Sequence, residues 1–100
     1  MMTDPAITAV LREFDRLRAQ FADDQPTDDD FAQAPIITSW RWTTHGGFPA
    51  LDGIVTGHPD IPDGRRCATS AVLVVDKLER WARTKNRWYR LGPRADARVH

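Results

Sequence analysis

The apolar residues of this chain change their period near residue 36. Before that point Ile7, Val10, Leu11, Phe14, Leu17 and Phe21 recur at steps of three and four, one stripe of a helix. After it, apolar positions alternate or run in short β-branched blocks bounded by Gly, Pro and Asp. Helical signal first and strand signal afterwards does not make the interleaved pattern of a parallel α/β protein, so the expected fold class is α+β. The expected architecture is a long N-terminal helix and a short second helix packed on a four- to five-stranded, mostly antiparallel sheet that ends in a β-hairpin. One hundred residues make one domain. Its expected parts are a helix over 4–22, a short helix over 27–34, a sheet over 36–92 and a flexible tail over 93–100.

Local signals refine this layout. Thr3 or Asp4 is placed to cap the first helix, with Pro5 in its first turn. Positions 7, 11, 14 and 21 also fit a heptad, but about two heptads are too few for a coiled coil, so the stripe is expected on the protein's own sheet. Thr27 caps the second helix, and Asp28, Asp29 and Asp30 sit where a helix N-terminus favours negative charge. Ile36, Thr38, Trp40 and Trp42 are expected to share one side of a strand. THGGFP is turn material, and Gly53 inside the next strand signals a bulge or a close backbone approach. CATSAVLVVD reads as one strand, and its VLVV centre, apolar on both faces, as a central one. WART and RWYRL form the closing hairpin around Lys85 and Asn86, with Asn86 suited to a positive φ. The expected core comprises Val10, Phe14, Leu17, Phe21, Ile36, Trp40, Val55, Val72, Val74, Trp81 and Leu91.

The formal charge of zero hides a division. Residues 1–63 carry 4 Lys/Arg against 11 Asp/Glu, a charge of −7; residues 64–100 carry 10 against 3, a charge of +7. The basic half is able to attract phosphate or an acidic protein, or else the halves neutralise each other within the fold. A single cysteine, Cys67, rules out an intrachain disulfide and fits a reducing compartment. No apolar run reaches the roughly 18–20 residues of a membrane span, and MMTDPAITAV lacks the basic and apolar regions of a secretory signal. A cytoplasmic protein is expected.

The chain offers little chemistry. Cys67 and Ser70 are candidate nucleophiles, with His45, His58 and His100 as bases, but no nucleophile elbow or phosphate-cradling glycine loop occurs. If 67–75 is one regular strand, Cys67 and Ser70 point to opposite faces. His45, His58, Asp60, Asp63 and Cys67 match none of the usual zinc spacings. No catalytic residue, metal or cofactor is therefore assigned.

The most distinctive segment is RWARTKNRWYRLG, residues 80–92. By parity, Trp81 and Arg83 share a face opposite Ala82 and Thr84, while Trp88 and Arg90 lie opposite Arg87, Tyr89 and Leu91. Arginine stems laid over the rings would make this a packed hairpin with a charged rim. With TGHPDIPDGRRCATS upstream, the segment resembles a family of small bacterial proteins built on a domain of unknown function. The resemblance runs over about residues 5–92 and is carried by Pro26–Asp30, Ala34–Pro35, Ser39–Trp42, Gly57–Pro59, Thr69–Ser70 and, above all, Trp81–Gly92, with its WART-x-x-RWYRLG signature. It supports the layout and brings no site residues.

These features point to a small non-enzymatic binding module, monomeric or homodimeric, that docks on a protein. Arg83, Lys85, Arg87, Trp88 and Arg90 are the expected contacts, since Arg and Trp are the usual hot-spot types. The near-neutral pI of about 6.8 places protein ahead of nucleic acid, the alternative partner, and no membrane is expected. A regulator or inhibitor encoded on a mobile element, of the anti-CRISPR kind, fits this size and lack of chemistry. Replacing Arg83, Lys85 and Arg87 with glutamate is expected to spare the fold and weaken partner capture.

Overall fold

The computed structural model describes residues 5–95. Two helices, α1 (Pro5–Phe21) and α2 (Asp28–Gln33), precede six strands. These are β1 (Ile36–His45), β2 (Phe48–Thr56), β3 (Arg66–Ala68), β4 (Val72–Val75), β5 (Trp81–Thr84) and β6 (Trp88–Leu91). The α+β class and both helices are as expected; the caps expected at Thr3 or Asp4 lie outside the described residues. Thr27 caps α2 reciprocally: its hydroxyl accepts from Asp30 N–H, and the Asp30 carboxylate accepts from Thr27 N–H.

The sheet departs from expectation in count and direction. It has six strands in the order β3-β2-β1-β6-β5-β4, and β1 pairs with β6 in parallel. The remaining neighbours are antiparallel. The extra strand arises because CATSAVLVVD is not one strand. It splits at Thr69–Ala71, so β3 forms one edge of the sheet and β4 the other. Cys67 and Ser70 therefore do not share a strand, and Ser70 lies in the link.

That split dictates the shape of the sheet. Six flat strands would put the outer two about 24 Å apart, at roughly 4.8 Å per strand. The chain from Ala68 to Val72 reaches at most about 14 Å. The sheet must therefore roll until its edges approach. Thr69 pins the link in place: its N–H donates to the Leu51 carbonyl (2.8 Å), and its hydroxyl accepts from Leu51 N–H (3.0 Å).

Inside the roll sits one core of Ile37, Trp40, Leu51, Val55, Cys67, Val72, Ala82 and Tyr89, with Ile61 and Leu91 against it. VLVV is apolar on both faces although it is an edge strand, because Val72 enters this core while α1 packs on β4 from outside. The expected pairing of Ile36 with Trp40 on one face also fails. Ser39 takes a φ of 50°, and the β1–β2 register shifts between Thr38 and Arg41, a bulge that reverses the alternation. Ile37 and Trp40 are buried together as a result, and Ile36 is only half-buried. Opposite the bulge lies Gly53, where an added Cβ would meet Ile37 Cγ2 at 2.6 Å and the Thr38 carbonyl oxygen at 2.8 Å. The signal at Gly53 was thus a close backbone approach, with the bulge on the facing strand.

Val10 is a further correction. It is 54% exposed, with Ile7 and Leu11 equally open, because the first turns of α1 extend past the sheet. Phe14 reaches Phe48, stacking at 4.0 Å, and Phe21 reaches the closing hairpin. The tail expected from 93 is attached at its start: Arg94 bridges in parallel with Trp40, and Ala95 N–H donates to the Trp40 carbonyl (2.8 Å). Residues 96–100 lie outside the described region.

Candidate docking surface

The β5–β6 hairpin is built by its register, Trp81 opposite Arg90, Ala82 opposite Tyr89 and Arg83 opposite Trp88. Parity then separates its side chains. Ala82 and Tyr89 face the core, and Trp81, Arg83, Trp88 and Arg90 face outwards toward the helices. The two-residue turn Lys85–Asn86 forms, but Asn86 does not take a positive φ. Thr84 makes the turn instead: its hydroxyl accepts from the N–H groups of Asn86 and Arg87, both at 3.3 Å. A buried hydroxyl thus replaces the left-handed residue that such a turn ordinarily needs.

The outward face is a lattice of rings and guanidinium groups. Trp81 and Trp88 meet edge to face at 5.2 Å. The Arg83 guanidinium lies 4.9 Å from the Trp88 ring and 4.9 Å from the Phe21 ring of α1. Arg90 lies over Phe31 of α2 at 5.8 Å, and its Nε–H donates to the Ala34 carbonyl (3.0 Å). Arginines do cover the rings, and these stacks fasten both helices to the hairpin.

The five expected contact residues therefore occupy different settings. Lys85 is exposed at the tip of the turn. Arg87 is half-buried and lies 3.7 Å from Asp60 of the 57–65 loop. Trp88, Arg83 and Arg90 are half-buried in the stacks just described. The Arg83 guanidinium makes no ion pair within 4 Å among the described residues, and its Nε is buried without a hydrogen-bond partner. Burial pulls its pKa down, while the carboxylates of Asp24 and Asp30 oppose the shift. Arg83, Asn86, Arg87 and Trp88 line one side of an open cleft of about 400 Å³, and Asp30, Gln33, Pro35 and Pro59 line the other. Sequence reasoning did not foresee the loop and α2 walls of this cleft, which only the fold brings to the hairpin.

The charge division is partly neutralised within the fold. Arg66 pairs with Asp52 (2.7 Å) across the acidic and basic halves, as Arg87 faces Asp60. Asp76 and Glu79 engage Arg80 and Arg94 within the basic half.

Behind the hairpin the candidate chemistry converges. The Tyr89 hydroxyl lies 3.4 Å from His58 Nε2, and His58 Nδ1 accepts from Asp60 N–H (3.0 Å). Cys67 lies in the same buried core as Tyr89. Burial raises the Cys67 thiol above its ordinary value, opposite to what a thiolate nucleophile requires. Burial likewise pushes Tyr89 up to about 12. Burial, and then the charge of Arg87, lower His58, while Asp60 opposes them. All three groups are thus neutral at pH 7, and the relay ties the 57–65 loop to the sheet. Among the described residues no three His, Cys, Asp or Glu side chains gather to hold a metal ion.

The comparisons add kinship. A family model described as Family of unknown function (DUF6634) matches residues 5–99. The chain belongs to this family. No curated protein and no solved structure matches it. No helix among the described residues is long and apolar enough to cross a membrane.

Proposed function

We propose that this family member is a non-enzymatic docking module that binds a protein partner through the outward face and rim of the β5–β6 hairpin. Arg83, Lys85, Arg87, Trp88 and Arg90 are the contact residues. The observation that carries the reading is the stacking of Arg83 between Phe21 and Trp88, with Arg90 over Phe31. Arg and Trp side chains held in one geometry before binding lose little rotamer freedom on complex formation, which is what an interface anchor requires.

The partial neutralisation of the basic half favours protein over nucleic acid. A nucleic-acid footprint needs several free cations along a backbone track. Here Arg87 has Asp60 beside it, Arg66 has Asp52, and Asp30 stands in the cleft. A regulator or inhibitor acting in the cytoplasm follows from the same reading, including one carried by a mobile element.

The test uses charge reversal at Lys85 and Arg87 and spares Arg83, whose half-buried position would confuse binding with folding. Lys85→Glu/Arg87→Glu keeps the wild-type melting curve and loses the protein that the wild type retains from host lysate. Unchanged retention refutes the surface. Salt-dependent binding of random DNA or RNA at micromolar protein moves the function to nucleic acid.

A further inference from the structure

His58 opens the 57–65 loop with both ring nitrogens engaged. Nδ1 accepts from Asp60 N–H (3.0 Å), and Nε2 lies 3.4 Å from the Tyr89 hydroxyl of β6. A ring nitrogen that accepts an N–H carries no proton, so the neutral imidazole holds its proton on Nε2, facing Tyr89. An imidazolium has two N–H donors and no acceptor. A proton taken from solvent onto Nδ1 therefore breaks the bond to Asp60 N–H, while Nε2–H still reaches Tyr89. The ring keeps its anchor, and the backbone at Asp60 has to give way.

The rest of the loop is held independently. Gly57 N–H donates to the Asp63 carboxylate (2.8 Å), Gly64 N–H donates to the Val55 carbonyl (2.8 Å), and Ile61 packs on the core. Motion is thus confined to Pro59 and Asp60, both exposed. Pro59 lines the cleft beside the hairpin, and the Asp60 carboxylate lies 3.7 Å from the Arg87 guanidinium. The groups around the ring are Asp60 from its own loop, Arg87 from the hairpin, and Tyr89 from β6, which shares its core with Cys67 of β3. Burial keeps the Tyr89 hydroxyl and the Cys67 thiol uncharged at pH 7, so the carboxylate that acts on the ring is that of Asp60.

We propose that the 57–65 loop is an acid-released latch on the docking hairpin. Protonated His58 gives up Asp60 N–H and, with Nδ1–H now a donor, takes the Asp60 carboxylate from Arg87. The Arg87 cation is then left to an acidic partner surface. The inference rests on the docking reading and names a regulation of that surface.

The experiment is an NMR titration of the folded, 15N-labelled protein from about pH 8 to 5, above the ordinary carboxylate range. The His58 ring nitrogens should show the Nε2–H tautomer at the alkaline end. The Asp60 amide and the Arg87 Nε–H signals should shift with the midpoint of the His58 ring itself, below 6.5. His58→Asn keeps an acceptor for the N–H two residues on and cannot take the proton, so both shifts should vanish. An Nδ1–H tautomer overturns the latch. So does an Asp60 amide or an Arg87 signal that ignores the His58 midpoint, or the same response in His58→Asn. The wild-type readouts need no variant to fold and no partner to be known. The docking reading fails separately, when Lys85→Glu/Arg87→Glu retains partner as the wild type does.

Discussion

Gly53→Ala tests the close approach of β2 to the bulge in β1. The new methyl carbon would lie 2.6 Å from Ile37 Cγ2, 2.8 Å from the Thr38 carbonyl oxygen and 3.0 Å from Trp40 Cα. Two of these three neighbours are backbone atoms of the strand that carries the bulge, so a rotamer change relieves only the first. Forcing extra volume into a packed site costs about 1–3 kcal/mol, and this contact belongs near the upper end. Lower chain entropy in the unfolded state returns about 0.4–1 kcal/mol, because Gly53 is not in a left-handed conformation. The net loss is about 2 kcal/mol, or a fall of about 8–16 °C in melting temperature for a domain of this size. Far-UV circular dichroism and tryptophan fluorescence should report the same fall, since the buried Trp40 indole N–H donates to the Gly92 carbonyl beside the bulge. Gly46→Asn is the control: its φ of 59° suits asparagine, nothing crowds the site, and it should melt near wild type. A Gly53→Ala protein melting within about 2 °C of wild type would refute the account of the pinched strand pair.

Three further outcomes follow from the relay and the turn. Cys67, 3% exposed and with its thiol pushed up by burial, should react with a thiol reagent at pH 8 only as fast as the protein unfolds; rapid labelling of the native state contradicts its placement. His58 titrates below 6.5 when folded, so the unfolded chain takes up the proton first and stability is lost as pH falls from 6.5 through the lower folded value. The melting temperature should fall across pH 6.5–5 in the wild type and flatten in His58→Gln; equal slopes would remove His58 from the relay. Thr84→Val removes the hydroxyl that accepts from the part-buried N–H groups of Asn86 and Arg87, at a cost of about 0.5–1.5 kcal/mol; urea melts showing no loss would mean the turn does not need it.

The hairpin was legible because two short strands and a two-residue turn are local; parity paired Trp81 with Arg83 and Trp88 with Arg90 within each strand, and the register of the folded hairpin put all four on one face. The α1 stripe was legible as a helix, but the pattern cannot say how far the sheet extends beneath it, so Val10 was placed in a core it does not reach. Alternation along β1 misled because the bulge at Ser39 leaves no signal in β1 itself; its only trace was Gly53 on the facing strand. VLVV looked central because apolarity on both faces reports two covers, and a helix covers an edge as well as a strand would. The cleft was not legible, since the 57–65 loop and α2 reach the hairpin only through the rolled sheet. Arg83 was singled out for its residue type, whereas its buried, unpartnered Nε is a property of the folded protein.

The most direct measurement replaces Lys85, exposed at the tip of the hairpin, with a photo-crosslinking amino acid in the native host. Irradiation should give a discrete adduct with one protein, and the adduct should disappear when Arg87→Glu is added to the same chain. An adduct with nucleic acid, or a protein adduct indifferent to Arg87→Glu, would contradict docking through the basic hairpin.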